Sequence, residues 1–261
     1  MNEQEVLQVL EGVGGVIVDS HIVYTAGNHG TKYVNKDAAY PHTYLTSKLC
    51  RAMAENFAEA DVEVVVAPAI GGTILSQWTA FHLSEITDRD VLATYAERDE
   101  TMVHKVEKVE NGHVYTYELR LVRIDDKGKE VFWTTSHPQE SDEVVIKHPR
   151  FVIKRGYDKL VKGRRVLVVE DVTTTGLSSK RVIEATRSVG GIVVGLGVLC
   201  NRGGVTPKDV ADPPVLKALL NVKFDSWSEE ECLRSGPCSK DVPINTAVGK
   251  GKDFLARHKK G

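Results

Sequence analysis

Apolar positions fall into two kinds of run along the chain, and their order predicts the fold. Residues 3–10 place Val6, Leu7, Val9 and Leu10 at helical spacing, and residues 43–60 do the same with Leu45, Leu49, Ala52, Met53 and Phe57. Between them, after a break at Gly12, Gly14 and Gly15, lie short strand-like runs at 16–18 and 21–24. An apolar run rich in β-branched residues at 62–66 is followed by a glycine-containing loop at 67–73 and a helical stretch at 74–83. The same order returns as a strand at 165–169, a polar loop at 170–178 and a helix at 179–189. Gly190 and Gly191 stop that helix before another apolar strand at 192–199. Continuous apolar strands alternating with helices predict an α/β fold with a doubly wound, mostly parallel sheet.

Two stretches depart from that alternation. Residues 113–123 alternate apolar and polar, residues 130–135 carry Val131, Phe132 and Trp133, and the polar run 125–129 joins them, which predicts an antiparallel β-hairpin. Residues 136–150 read as polar loop. Beyond residue 206 prolines interrupt the chain, leaving one short helix near 215–220 and a basic, frayed end at 250–261.

Composition narrows the class. The chain is 41% hydrophobic and 27% charged with a formal net charge of -2, values of an ordinary globular enzyme. No basic run invites nucleic acid, and no apolar stretch reaches the length of a membrane span. The first residues are acidic where a secretory signal is basic, so a cytoplasmic protein with reduced cysteines is expected. Cys232 and Cys238 lie close together, but their spacing is poor for the close pairs that structural zinc sites favour, and no structural metal is expected.

The stretch that carries chemistry is 166–178. A buried strand delivers Glu170 and Asp171 at its C-terminal end, where ligands of open α/β sheets bind. Thr173, Thr174, Thr175, Gly176, Leu177 and Ser178 follow at the start of a helix, offering hydroxyls, amides and the positive end of the helix dipole to an anion. A phosphate attached to a polyol fits these parts together. The loop Ala69, Ile70, Gly71, Gly72 offers a second place where backbone approaches an anion.

The run Glu-Asp-Val-x-Thr-Thr-Gly-x-Ser over 170–178 closely resembles the phosphoribosyl-pyrophosphate motif of type I phosphoribosyltransferases. The resemblance implies that the acidic pair contacts ribose hydroxyls, that 173–178 wrap the 5′-phosphate, and that 69–72 hold the pyrophosphate. Three further passages resemble the orotate-specific branch: 24–33, containing Thr25 and Gly27; 154–163; and 199–202, whose Arg202 would read the orotate carboxylate with its planar fork. A surface arginine in a turn is the competing reading of Arg202. The likeness runs from His21 to Gly204.

The branch carries an Arg-Lys-x-x-Lys-x-His run on a mobile loop over the leaving pyrophosphate. Here the corresponding text retains only Arg98, His104 and Lys105 among acidic neighbours, and Lys147 and His148, with Arg150, are further lid candidates. The resemblance implies a phosphoribosyltransferase acting on phosphoribosyl pyrophosphate and a base, with Mg²⁺ held mainly through substrate, and a homodimer. Orotate is the expected base. A salvage enzyme for a purine or another pyrimidine, or a non-catalytic sensor of phosphoribosyl pyrophosphate, stays open. The implied division is a hood segment and first helix at 1–60, a core at 61–204 with the hairpin inserted at 101–150, and a tail at 205–261, the hood combining the N-terminal segment with the hairpin.

Overall fold

The computed structural model describes residues 1–24, 27–98, 103–110, 113–124, 130–134 and 150–258, with the strands between 103 and 134 described by their backbone alone. Helix α1 (Glu3–Gly12) starts from a capping box in which Asn2 and Glu5 satisfy each other's backbone N–H groups. Four two-residue strands follow: β1 (Val16–Ile17), β2 (Ile22–Val23), β3 (His29–Gly30) and β4 (Tyr33–Val34), with β1 antiparallel to β4 and β2 antiparallel to β3. Then come α2 (Thr43–Glu55), β5 (Val64–Pro68), α3 (Thr73–Thr87) and β6 (Leu92–Arg98). Strands β7 (Val103–Glu110), β8 (His113–Ile124) and β9 (Glu130–Thr134) form an antiparallel meander whose ladders run only among themselves within the described residues. The chain returns through β10 (Phe151–Val152), α4 (Tyr157–Val161), β11 (Arg165–Thr173), α5 (Leu177–Ser188), β12 (Ile192–Asn201) and β13 (Leu216–Asn221). It ends with β14 (Ser226–Trp227), α6 (Glu229–Ser235) and α7 (Gly251–His258).

The central sheet has the order β10-β6-β5-β11-β12-β13, parallel throughout except for the edge strand β10. Alternate side chains of its middle strands enter two separate cores. Val65, Leu167 and Val169 pack with Leu49, Met53 and Phe57 of the α2 side, while Val64, Val66, Val166 and Val168 pack with Val182 and Ile183 of α5. Burial on both faces is why these strands read as continuous apolar runs. The fold class expected from the sequence is the one observed.

Several details correct the expectation. Residues 216–221 form strand β13, not a short helix. A run this short gains little as an isolated helix, whereas the open edge of β12 offers it a full ladder from Leu196↔Leu216 to Asn201↔Asn221. Residues 251–258 form α7, which lays buried Phe254 against the N-terminal segment's His29, so this part of the tail is docked. The N-terminal hairpin β2–β3 finds its third strand in β14 of the tail. Helix α3 begins one residue before the predicted stretch, β6 was not read from the sequence, and β7 stands where a lid loop was read.

Candidate active site

Strand β11 is buried along almost its whole length and carries Glu170 and Asp171 to the C-terminal edge of the sheet, where they are only 5% and 7% exposed. Two carboxyls cannot be buried side by side in water-free surroundings without adjustment. Burial first, and then the neighbouring Asp171 charge, push the Glu170 carboxyl well above the usual carboxylate range. Ser179, in the first turn of α5, donates a hydrogen bond of 3.2 Å to Glu170 Oε2.

Asp171 has a different partner. Lys36 Nζ lies 2.9 Å from Asp171 Oδ2 and 2.7 Å from Asp37 Oδ1. Burial alone would lower the Lys36 ammonium, but Asp171 and Asp37 outweigh it and hold the group above its ordinary value. The glycine loop closes in on the same pair. A Cβ on Gly71 would collide with Asp171 Oδ2 and stand 3.2 Å from Lys36 Nζ, so any larger residue there must displace this ion pair. Tyr40 fixes the loop by donating a 2.7 Å hydrogen bond to the Gly71 carbonyl. The Ala69–Ile70 peptide in this loop is cis.

The threonine loop turns at Gly176, whose φ of +76° sets the start of α5; no side chain caps that helix, which leaves its first-turn amides to a ligand. Thr174, Thr175, Leu177 and Ser178 are exposed there, whereas the Thr173 hydroxyl is buried inside the loop. Arg202, just beyond β12, donates a 2.9 Å hydrogen bond to Thr174 Oγ1 and stacks its guanidinium 4.9 Å from the centre of the Tyr24 ring. Its backbone is tied to Thr173, and Gly203 is needed there because any Cβ would collide with the Thr174 carbonyl.

These groups line one cleft of about 210 Å³, with Tyr24, Lys36, Asp171, Thr174 and Arg202 in its walls and Gly249 of the tail at its rim. A neighbouring cleft of about 490 Å³ is bounded by Ala69 and Ile70 of the glycine loop together with Arg98, Lys154 and Arg155. Arg155 is paired with Glu97 at 2.8 Å.

The structure thus gathers Asp171, Thr174 and Arg202 in one cleft, brings Gly71 against Asp171, and sets Arg98 beside the glycine loop. Gly27 sits in the β2–β3 turn with φ +89°, its N–H bonded to the Tyr24 carbonyl. Thr25, Lys147 and His148 lie outside the described residues, and His104 and Lys105 are placed on β7 by their backbone alone. Sequence reasoning missed Lys36 and Tyr40. The signal available was position: both follow closely on the 24–33 passage that resembles a substrate segment.

Comparison with known proteins agrees with this geometry. The phosphoribosyl transferase domain model matches residues 44–234, well over half of the chain. An orotate phosphoribosyltransferase of Bartonella tribocorum is 30% identical over 233 residues, covering 88% of this chain and 90% of that protein. One from Caldanaerobacter subterraneus subsp. tengcongensis is 26% identical over 244 residues, covering 94% and 96%. The crystal structure of Mycobacterium tuberculosis H37Rv orotate phosphoribosyltransferase in complex with Fe(III) dicitrate shares the fold with a TM-score of 0.52 at 18% identity, covering 84% of this chain and 96% of that one. The chain therefore belongs to the phosphoribosyl transferase family, as a type I, orotate phosphoribosyltransferase-like pentosyltransferase.

Proposed function

We propose that this enzyme transfers the 5-phosphoribosyl group of phosphoribosyl pyrophosphate to orotate, forming orotidine 5′-monophosphate and pyrophosphate. The observation that carries the reading is the shared cleft: a carboxylate suited to ribose hydroxyls, Asp171, faces a guanidinium suited to a carboxylated planar base, Arg202, with the phosphate loop's Thr174 between them. The names of the curated relatives support the choice of base.

In this reading the exposed hydroxyls of Thr174, Thr175 and Ser178 and the first-turn amides of α5 bind the 5′-phosphate, and the backbone of 69–72 receives the pyrophosphate. Glu170 and Asp171 orient the ribose hydroxyls. Tyr24 and Arg202 hold the base with its nitrogen facing the anomeric carbon. As the bond from that carbon to the pyrophosphate oxygen breaks and the bond to the base nitrogen forms, positive charge grows on the ring, and the Asp171 carboxylate is placed to stabilise it. Lys36 and Arg98 stand on the side where negative charge accumulates on the leaving group. The cleft fits Mg²⁺ only as a companion of the substrate: Asp171 is already engaged by Lys36, and Glu170 is buried, so no cage of carboxylates is ready for it. Carried in with the substrate, Mg²⁺ would supply neutralisation of the leaving group.

A homodimer in the cytoplasm completes the proposal. The family resemblance supports the assembly, and light scattering of the active protein tests it. Among the described residues no helix is long and apolar enough to cross a membrane. The test of the reaction is a panel of bases incubated with phosphoribosyl pyrophosphate and Mg²⁺, reading pyrophosphate release. Release with orotate and not with adenine, guanine, hypoxanthine or uracil is the expected result. Release with one of those bases instead of orotate would make this a salvage enzyme, and release with none would leave a sensor.

A further inference from the structure

The N-terminal hairpin and the tail meet at four side chains that the reaction does not use. His21 stands at the start of β2, His29 on β3, Cys232 in α6 and Cys238 just beyond it. Each offers one ligand atom, and these atoms all lie within 4.8 Å of one another, with three of the four residues buried. We propose that His21, His29, Cys232 and Cys238 hold a structural zinc ion that clamps the tail onto the hairpin beside the base subsite.

Three of the six ligand–ligand distances match a tetrahedron. Zinc bonds of about 2.0–2.1 Å to nitrogen and about 2.3 Å to sulfur put neighbouring ligand atoms roughly 3.3–3.8 Å apart. Cys238 Sγ lies 3.4 Å from His29 Nδ1 and 3.6 Å from His21 Nε2, and Cys232 Sγ lies 3.8 Å from His21 Nε2. The two ring nitrogens, at 2.7 Å, are closer than a tetrahedron asks by about half an ångström, a change that small side-chain rotations supply.

The surroundings match a metal's outer shell. His21 Nδ1 lies 2.7 Å from the Val242 carbonyl; a carbonyl only accepts, so Nδ1 carries the proton and Nε2 presents its lone pair to the cluster. The Cys238 amide donates to Cys232 Sγ at 3.2 Å, the kind of hydrogen bond a ligating sulfur receives. Two sulfurs and two nitrogens in a closed, buried tetrahedral set select zinc over the oxygen-seeking cations. By sequence spacing, Cys232 and Cys238, with His258 in the tail, predict no structural metal. That spacing does not register the two histidines: His21 lies 211 residues from Cys232, and His29 lies 209 from Cys238.

The clamp has a consequence for the cleft, which rests on the functional reading above. The Asn245 amide donates to the His21 carbonyl and the Lys250 amide to the Val23 carbonyl, both at 2.7 Å, so the tail runs along β2 directly before Tyr24. Holding β2 and β3 to α6 fixes Tyr24 over Arg202. Loss of the ion should loosen the base subsite while leaving the phosphate loop on the central sheet in place.

The experiment uses the whole protein, purified reduced after expression with added zinc. Elemental analysis should give one zinc per chain. Exchange for Co²⁺ should give the intense visible bands of a tetrahedral ion together with a thiolate-to-cobalt charge-transfer band. Cys238→Ser should lower zinc affinity at least about tenfold. Stripping zinc from the wild-type enzyme with a chelator, a test that needs no variant to fold, should lower Tm and raise the KM for orotate more than that for phosphoribosyl pyrophosphate. Substoichiometric zinc with no tetrahedral cobalt spectrum in the reduced wild-type protein would overturn the proposal, as would a Cys232–Cys238 disulfide in the native protein. Metal content and cobalt spectrum are read without turnover, so they stand or fall separately from the assignment of the reaction.

Discussion

Lys36 and Asp171 meet at 2.9 Å in the wall of the cleft, joining the N-terminal segment to the acidic end of β11. The pair is largely shielded, so removing the cation leaves an uncompensated, poorly solvated carboxylate beside Glu170. Lys36→Ala should lower stability by about 1–2 kcal/mol and lower kcat at least tenfold. Chemical denaturation and steady-state kinetics check this. A variant within twofold of wild type in both measurements would remove Lys36 from the site.

The raised Glu170 carboxyl predicts a pH dependence of stability. Between the usual carboxylate range and its higher value in the fold, the folded protein holds a proton that the unfolded chain has lost. The contribution is therefore fully present below the usual carboxylate range and is lost as pH rises through the folded value, with a slope of about 1.4 kcal/mol per pH unit at most. Glu170→Gln removes this titration, so its Tm measured from pH 5 to pH 8 should fall less than that of wild type. Parallel curves for the two proteins would contradict the assignment.

Arg202 touches both Thr174, in the proposed phosphate loop, and Tyr24, on the proposed base side. A split in KM separates these contacts. Arg202→Ala should raise the KM for orotate about ten- to hundredfold, the scale of one to two charge-assisted hydrogen bonds, with little change for phosphoribosyl pyrophosphate. Thr174→Ala should show the reverse pattern. Equal effects of Arg202→Ala on both substrates would make it an arginine of the phosphate loop.

The sheet was legible because β5, β11 and β12 are buried on both faces, and that burial writes itself into sequence as unbroken apolar runs. Strand β13 was not, because five apolar residues within 215–220 fit a helix as well as a strand, and only the open edge of β12 decides between them. The acidic pair and the threonine loop were legible because strand, carboxylates and helix start are contiguous. Lys36 and the His–Cys cluster were not, since their partners lie far off in sequence: Lys36 reaches Asp171, and His21 reaches Cys232, only through the closed fold.

In the proposed reaction Asp171 acts on the ribose during transfer, and the direct test is the kcat of Asp171→Asn with phosphoribosyl pyrophosphate, Mg²⁺ and orotate. The substitution keeps the side chain's shape and removes its charge. Loss of about 2–4 kcal/mol of stabilisation confined to the transition state predicts a hundred- to thousandfold fall in kcat with the KM for orotate nearly unchanged. A variant that forms orotidine 5′-monophosphate at close to the wild-type rate would contradict the account.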